Sequence, residues 1–150
     1  MPTNRKSSDE PTTTPVPVWA RVAAATFAAI FFGFGIYFTL YPTAAISFFD
    51  KDSGFATSGV AALQSGNRAV ELFILLYAVR DVFMAMVISA AALYDTEDGR
   101  MLAWALIAGG FTASSDGFIA KATVGIGQWD HWGYAPLLLG VGSYLLMKRA

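Results

Sequence analysis

The sequence predicts an all-α, polytopic membrane protein, a bundle of four transmembrane helices. Three observations carry that expectation. The 150 residues are 55% hydrophobic and only 14% charged, with a mean hydropathy of +0.50; a water-soluble domain of this size coats itself with more charge. Four segments reach, or nearly reach, the roughly 20 apolar residues that cross a bilayer core. No segment alternates in polarity as the strands of a membrane barrel do, and in lipid a lone span must satisfy its own backbone as a helix.

The elements follow in order. Residues 1–17, MPTNRKSSDEPTTTPVP, are polar and rich in Pro and Thr, and are expected to form a disordered tail. The long polar lead is unlike a cleaved secretory signal, so 18–150 is read as the transmembrane domain. The first span is Val18–Leu40, closed by Tyr41-Pro42, and the second is Ala69–Leu93, entered through Gly66-Asn67-Arg68. The third is Met101–Thr123 and the fourth, the shortest, is Trp132–Met147. The loops 41–66, 94–100 and 124–131 collect Gly, Pro, Ser and Asp.

Small-residue stripes on the first span (Ala25, Ala29, Gly33) and the third (Ala105, Gly109, Ala113, Gly117) would let helices approach closely. Trp19, Trp129, Trp132 and Tyr134 stand at span ends, where amphipathic rings prefer the headgroup level. With both termini cytoplasmic, the inner side collects Arg5, Lys6, Arg21, Arg100, Lys148 and Arg149, against Lys51, Arg68 and Lys121 outside. The bilayer is thus the expected partner and the endoplasmic reticulum the expected location, with homo-oligomer formation left open.

The composition also excludes. A net charge of −1 with no basic stripe argues against a nucleic-acid partner. There is no cysteine, one histidine and no Gly-rich phosphate loop after a strand, so neither a metal nor an organic cofactor is expected.

Against this apolar background, the second span carries charge at its centre. Within Glu71–Ala90, ELFILLYAVRDVFMAMVISA, Arg80 and Asp81 stand side by side, at a depth where an ionisable group is costly and marks function. At about 100° per residue, Asp81 lies centrally between Glu71 and Arg80, with Asn67 on the same half of the helix. On the third span Asp116, in SSDG, shares the face of Gly109 and Ala113 and is expected to look into the bundle. The helical rise puts Asp116 roughly 8 Å below the outer edge of the core, between Glu71 and Asp81 in depth.

A pocket in the outer half of the membrane is therefore expected. Arg80, Asp81 and Asp116 would line it, with Asn67, Arg68, Glu71 and Lys121 as substrate contacts nearer the mouth. The loop GQWDHW, Gly127–Trp132, would form a lid, its Asp130 and His131 lying at the interface and His131 within reach of substrate rather than catalytic.

Three readings compete. The charges could form an ion-paired strut inside a non-catalytic scaffold or lipid binder. They could relay protons in a small carrier, although Phe31–Gly35 and Met84–Leu93 offer no polar path through the inner half. Or they could be catalytic, with Asp81 as base toward water, Asp116 as acid toward a leaving oxygen, and Arg80 orienting and polarising; the two Asp roles are exchangeable. That division suits opening of an epoxide, or a related cyclisation or isomerisation, on a lipophilic small molecule arriving from the lipid. It is similar in roles alone to the Asp–Arg–Asp set of limonene-type epoxide hydrolases, which are soluble and differently folded.

The order Asn67-Arg68, Glu71, Val79-Arg80-Asp81, a short acidic hairpin, then Ser115-Asp116-Gly117 resembles the small four-helix membrane proteins grouped as domain of unknown function 4267. The likeness covers Val18–Met147, and its most specific elements are Arg68, Arg80, Asp81 and Asp116. It implies the four-helix fold and this choice of polar residues. Some members look like accessory enzymes of fungal secondary metabolism, where membrane-associated hydrolases open polyketide epoxides, so the resemblance also implies a hydrolase or isomerase of that kind.

Overall fold

The computed structural model describes residues 15–49, 59–61, 64–95, 98–123, 125 and 127–148, the side chains of 44 and 47–49 excepted. Most of the expected tail, and with it Arg5 and Lys6, lies outside those residues, as do Lys51 and Arg149. Val16, at the end of that tail, is buried in the core. The regular elements are helices α1 (Val18–Leu40), α2 (Pro42–Phe49), α3 (Arg68–Tyr94), α4 (Arg100–Thr123), α5 (Gln128–Trp132) and α6 (Ala135–Met147), with no strand among the described residues.

Local chemistry sets the boundaries. Gly66 turns the chain with φ +77°, and Asn67 caps α3, its Oδ1 accepting from Ala69 N at 3.1 Å. At the far end of α3, Asp95 is buried and caps the next helix: Oδ1 accepts from Gly99 N at 2.8 Å and Oδ2 from Leu102 N at 3.0 Å. Arg21 closes the same corner from α1, donating Nη1 to Ala92 O at 3.1 Å and Nη2 to Asp95 O at 2.9 Å. Those carbonyls end α3, where a cation also meets the negative pole of the helix.

The long helices alternate in direction. The start of α1 meets the end of α3 through Arg21, and it meets the end of α6 where Trp19 and Tyr144 pack with centroids 5.2 Å apart. One end of the bundle therefore holds Arg21, Asp95, Arg100 and Lys148. The short helices α2 and α5 sit at the other.

Packing is tightest in two pairs, α1 with α3 and α4 with α6. The first pair closes on Gly35, where a Cβ would lie 2.6 Å from Val82 Cγ2 and 2.8 Å from Ala78 O. The second closes on Gly142, where a Cβ would lie 2.7 Å from Ala103 O. Gly35→Ala is accordingly expected to destabilise by about 1–3 kcal/mol through overpacking. Gly33→Ala, with open space around Gly33, should leave the melting temperature in detergent no lower than wild type.

Several expectations are corrected. The stripe on the third span is buried as expected, at Ala105, Gly109, Ala113 and Gly117. The stripe on the first is not: Ala25, Ala29 and Gly33 are exposed, and Ala20, Ala24, Ala28, Phe31 and Gly35 face the core. The stretch 41–66, read as a loop, begins with helix α2. The stretch 124–131, also read as a loop, carries most of helix α5, and the fourth span is regular only from Ala135, with Pro136 in the first turn of α6.

Two helices, α1 and α3, are long and apolar enough to cross a membrane. α4 is long enough but less apolar, because Ser114, Ser115 and Asp116 interrupt it. α6 is shorter than an undeformed bilayer core, since its 13 residues rise only about 20 Å.

Candidate functional site

The middle of α3 turns one polar face toward α4. Asp81 is buried, 4% exposed, one residue beyond Arg80. The Arg80 guanidinium donates Nη2 to Asp81 Oδ1 at 3.0 Å and Nη1 to Asp116 Oδ1 of α4 at 2.7 Å. Nε reaches Asp81 Oδ1 less closely, at 3.4 Å. Its planar fork allows this: separate nitrogens serve the two acids at fixed angles, where a lysine would offer a single nitrogen. The guanidinium carbon also lies 3.9 Å from the Tyr77 ring centroid, a cation–π contact from one turn earlier on α3. Side-chain exposures of 29% for Arg80 and 14% for Asp116 put the bridge largely out of water.

A cavity of about 560 Å³ begins at this bridge and extends toward the α2–α5 end. Two facing helical stripes form its walls. On α3 they are Val70, Phe73, Ile74 and Tyr77; on α4 they are Asp116, Ile119, Ala120 and Thr123. Each follows the i, i+3, i+4, i+7 spacing of one helix face. Ala45 and Ile46 of α2 close one side together with Gly59, and His131 of α5 contributes at the polar end. A chamber of this size, apolar but for a few convergent polar groups, has the anatomy of a small-molecule site.

The structure thus gathers Arg80, Asp81 and Asp116, and of the three only Asp116 lines the cavity. Asp81 stands behind Arg80. The residues expected near the mouth are placed elsewhere. Asn67 caps α3, Arg68 and Glu71 are exposed, and Lys121 is exposed with its ammonium 5.9 Å from the Trp132 ring; none of the four is on the cavity wall.

His131 departs from its expected interfacial position. It is 3% exposed. Burial holds its imidazole below the ordinary pKa, an effect opposed chiefly by Asp116. Asp130 beside it is exposed.

Of the GQWDHW segment, expected to form a lid, His131 lines the cavity. Gly127 starts α5 with φ +84°. Trp132 then seats its indole on Gly117, in the space a Cβ would need, and donates Nε1 to Ser114 O at 3.2 Å. Freeing α5 would break both contacts.

Tyr77 escaped the sequence reading. The signal was present: it sits three residues before Arg80 and four before Asp81, on their face of the helix. As a residue that is mostly hydrocarbon within an apolar run, it reads as packing. No group of three or more His, Cys, Asp or Glu among the described residues could hold a metal ion.

No curated protein and no solved structure matches this chain. A family profile does, over residues 28–145, which takes in α3, α4, the Arg80 bridge and every cavity-lining residue. The chain belongs to the family described as domain of unknown function DUF4267.

Proposed function

We propose that this protein is a membrane-embedded enzyme that opens an epoxide, or carries out a related cyclisation or isomerisation, on a lipophilic small molecule. One observation carries the reading: a guanidinium shared by two acids, one of which faces an apolar chamber. One positive charge set against two carboxylates suits a division of labour in which one acid holds a proton and the other does not. Asp116 gives its proton to the departing ring oxygen as the carbon–oxygen bond breaks. Asp81, off the chamber wall, is the proposed base: it accepts, through a second water, the proton released by the water that forms the new bond, and Arg80 holds both acids in register. Water and epoxide become a diol, and the proton gained at Asp81 returns to Asp116 before the next turnover.

The bundle as a whole is proposed to cross the membrane four times, through α1, α3, α4 and α6. Large apolar side chains on its outside support this: Phe32 and Ile36 on α1, Phe83 and Met86 on α3, Phe111 on α4 and Leu137 on α6 are all exposed. The end holding Arg21, Arg100 and Lys148 is proposed to be cytoplasmic, with the endoplasmic reticulum as the host membrane.

The test is diol formation from a panel of lipophilic epoxides in ¹⁸O-labelled water, by membranes carrying the protein. Wild type should place ¹⁸O in the product. Asp116→Asn, inserted and folded, should be slower by about 100-fold or more, the usual contribution of general acid catalysis. Undiminished turnover by that variant, or no product from wild type across the panel, overturns the assignment.

A further inference from the structure

The cavity has an open flank. Phe73 and Ile119 line it, yet they are 74% and 60% exposed. They therefore belong at once to the inner wall and to the outer apolar surface. They stand on α3 and α4 respectively, at the seam where packing is light compared with the α1–α3 and α4–α6 pairs. Below them the Arg80–Asp116 ion pair ties the two helices together. The opposite flank is closed by α2, and the end wall is held by Trp132.

We infer that the seam between α3 and α4 is a lateral portal for a single-tailed amphiphile, which enters from the acyl chains with its oxygenated end leading. The polar groups of the chamber, Asp116, Tyr77 and His131, lie together at its deep end. The walls between them and the portal offer apolar side chains. A hydroxyl or carbonyl partway along the tail would lose its water there without gaining a partner, which disfavours it. An oxygen at the leading end meets Asp116, while the tail stays in contact with hydrocarbon throughout. The substrate class is thus a long apolar chain with an epoxide at or near its terminus, as opposed to a polyhydroxylated or centrally oxidised molecule. This rests on the hydrolase reading for the reaction, but the route itself does not.

The experiment uses the full chain in phosphatidylcholine nanodiscs and a long-chain terminal alkyl epoxide bearing a diazirine on its tail. On illumination, peptides containing Phe73 and Ile119 should carry the label. Phe73→Trp with Ile119→Trp should cut labelling and kcat/KM by about tenfold or more, the scale on which an apolar site rejects excess bulk. Val79→Trp, on the exposed outer face of α3, should leave both unchanged. Should the Trp pair fail to fold, Phe73→Ala with Ile119→Ala serves instead and should admit a branched-tail probe that wild type excludes. Labelling at these positions without diol formation supports the portal while overturning the hydrolase reading. Diol formation with label confined to α1, α6 or the aqueous loops, or indifferent to both pairs of substitutions, overturns the portal while the hydrolase reading stands.

Discussion

Arg80→Met should destabilise the protein by about 3–5 kcal/mol, the scale for removing one partner of a buried ion pair. The substitution keeps an unbranched apolar stem and deletes the charged head. Asp81 and Asp116 would then lose the cation that both bond to, leaving an ionised acid unpaired between α3 and α4. Arg80→Lys is expected to fall between Met and wild type, because an ammonium keeps the charge but replaces the fork of separate nitrogens with one. Adding Asp81→Asn and Asp116→Asn to Arg80→Met should recover part of the loss, since the penalty comes from charges left unpaired. Thermal unfolding of purified protein in one detergent checks all of these. A wild-type melting temperature for Arg80→Met would show that the bridge does not hold the helices together.

The second large effect lies at the opposite end of the bundle. Asp95→Ala removes both acceptors of the α4 cap and leaves Gly99 N and Leu102 N without their partners in a buried corner. Hydrogen bonds to a charged group contribute about 1.5–3 kcal/mol each, so a loss of about 3–4 kcal/mol is expected once partial hydration is allowed for. Asp95→Asn keeps one acceptor oxygen and should lose about half as much. Asp98→Ala offers the contrast. Its carboxylate accepts from Arg100 N at 3.1 Å and pairs with the Arg100 side chain in the open, where such contacts contribute about 0–1 kcal/mol. Equal losses from Asp95→Ala and Asp98→Ala would contradict the assigned roles.

The bounds of the long helices were legible in the sequence because punctuation and apolar length agree there. Tyr41-Pro42 closes α1 and Asn67 opens α3 where the sequence places them. The inward face of α4 was legible too, since one aspartate and a run of small residues share it. The face of α1 was not. Ala20, Ala24 and Ala28 have the same spacing as Ala25, Ala29 and Gly33, and a helix apolar all round gives no polar side to break the tie. Only the fit of Gly35 against Val82 and Ala78 decides it.

Within the candidate site, the convergence of Arg80 with two acids could be reached from angles and depths, because the two carboxylates and the guanidinium each sit on a long, regular helix. The closure of the apolar walls and the burial of His131 could not. They depend on how α2 and α5 fold back over the bundle, and segments of 8 and 5 residues carry too little periodicity to announce a face. The exposed groups Arg68, Glu71 and Lys121 were misplaced for a related reason. Proximity along a helix says nothing about which side chains a neighbouring helix leaves uncovered.

The brevity of α6 has a consequence for how the two reactants would arrive. Tyr134, just ahead of it, packs edge-on against Phe31 with centroids 5.8 Å apart, so α6 begins level with the middle of α1. Its rod falls short of a roughly 30 Å hydrocarbon slab by about 10 Å, on the side where His131 sits. In the proposed four-span arrangement, lipids beside so stubby a wall draw their headgroups inward, pinching the bilayer locally. Hydration would then descend along that dimple toward the buried imidazole, while oily cargo slides in from the other flank. A nucleophile soluble in one phase and an electrophile soluble in the other would meet at Asp116 without either having to cross the other's medium.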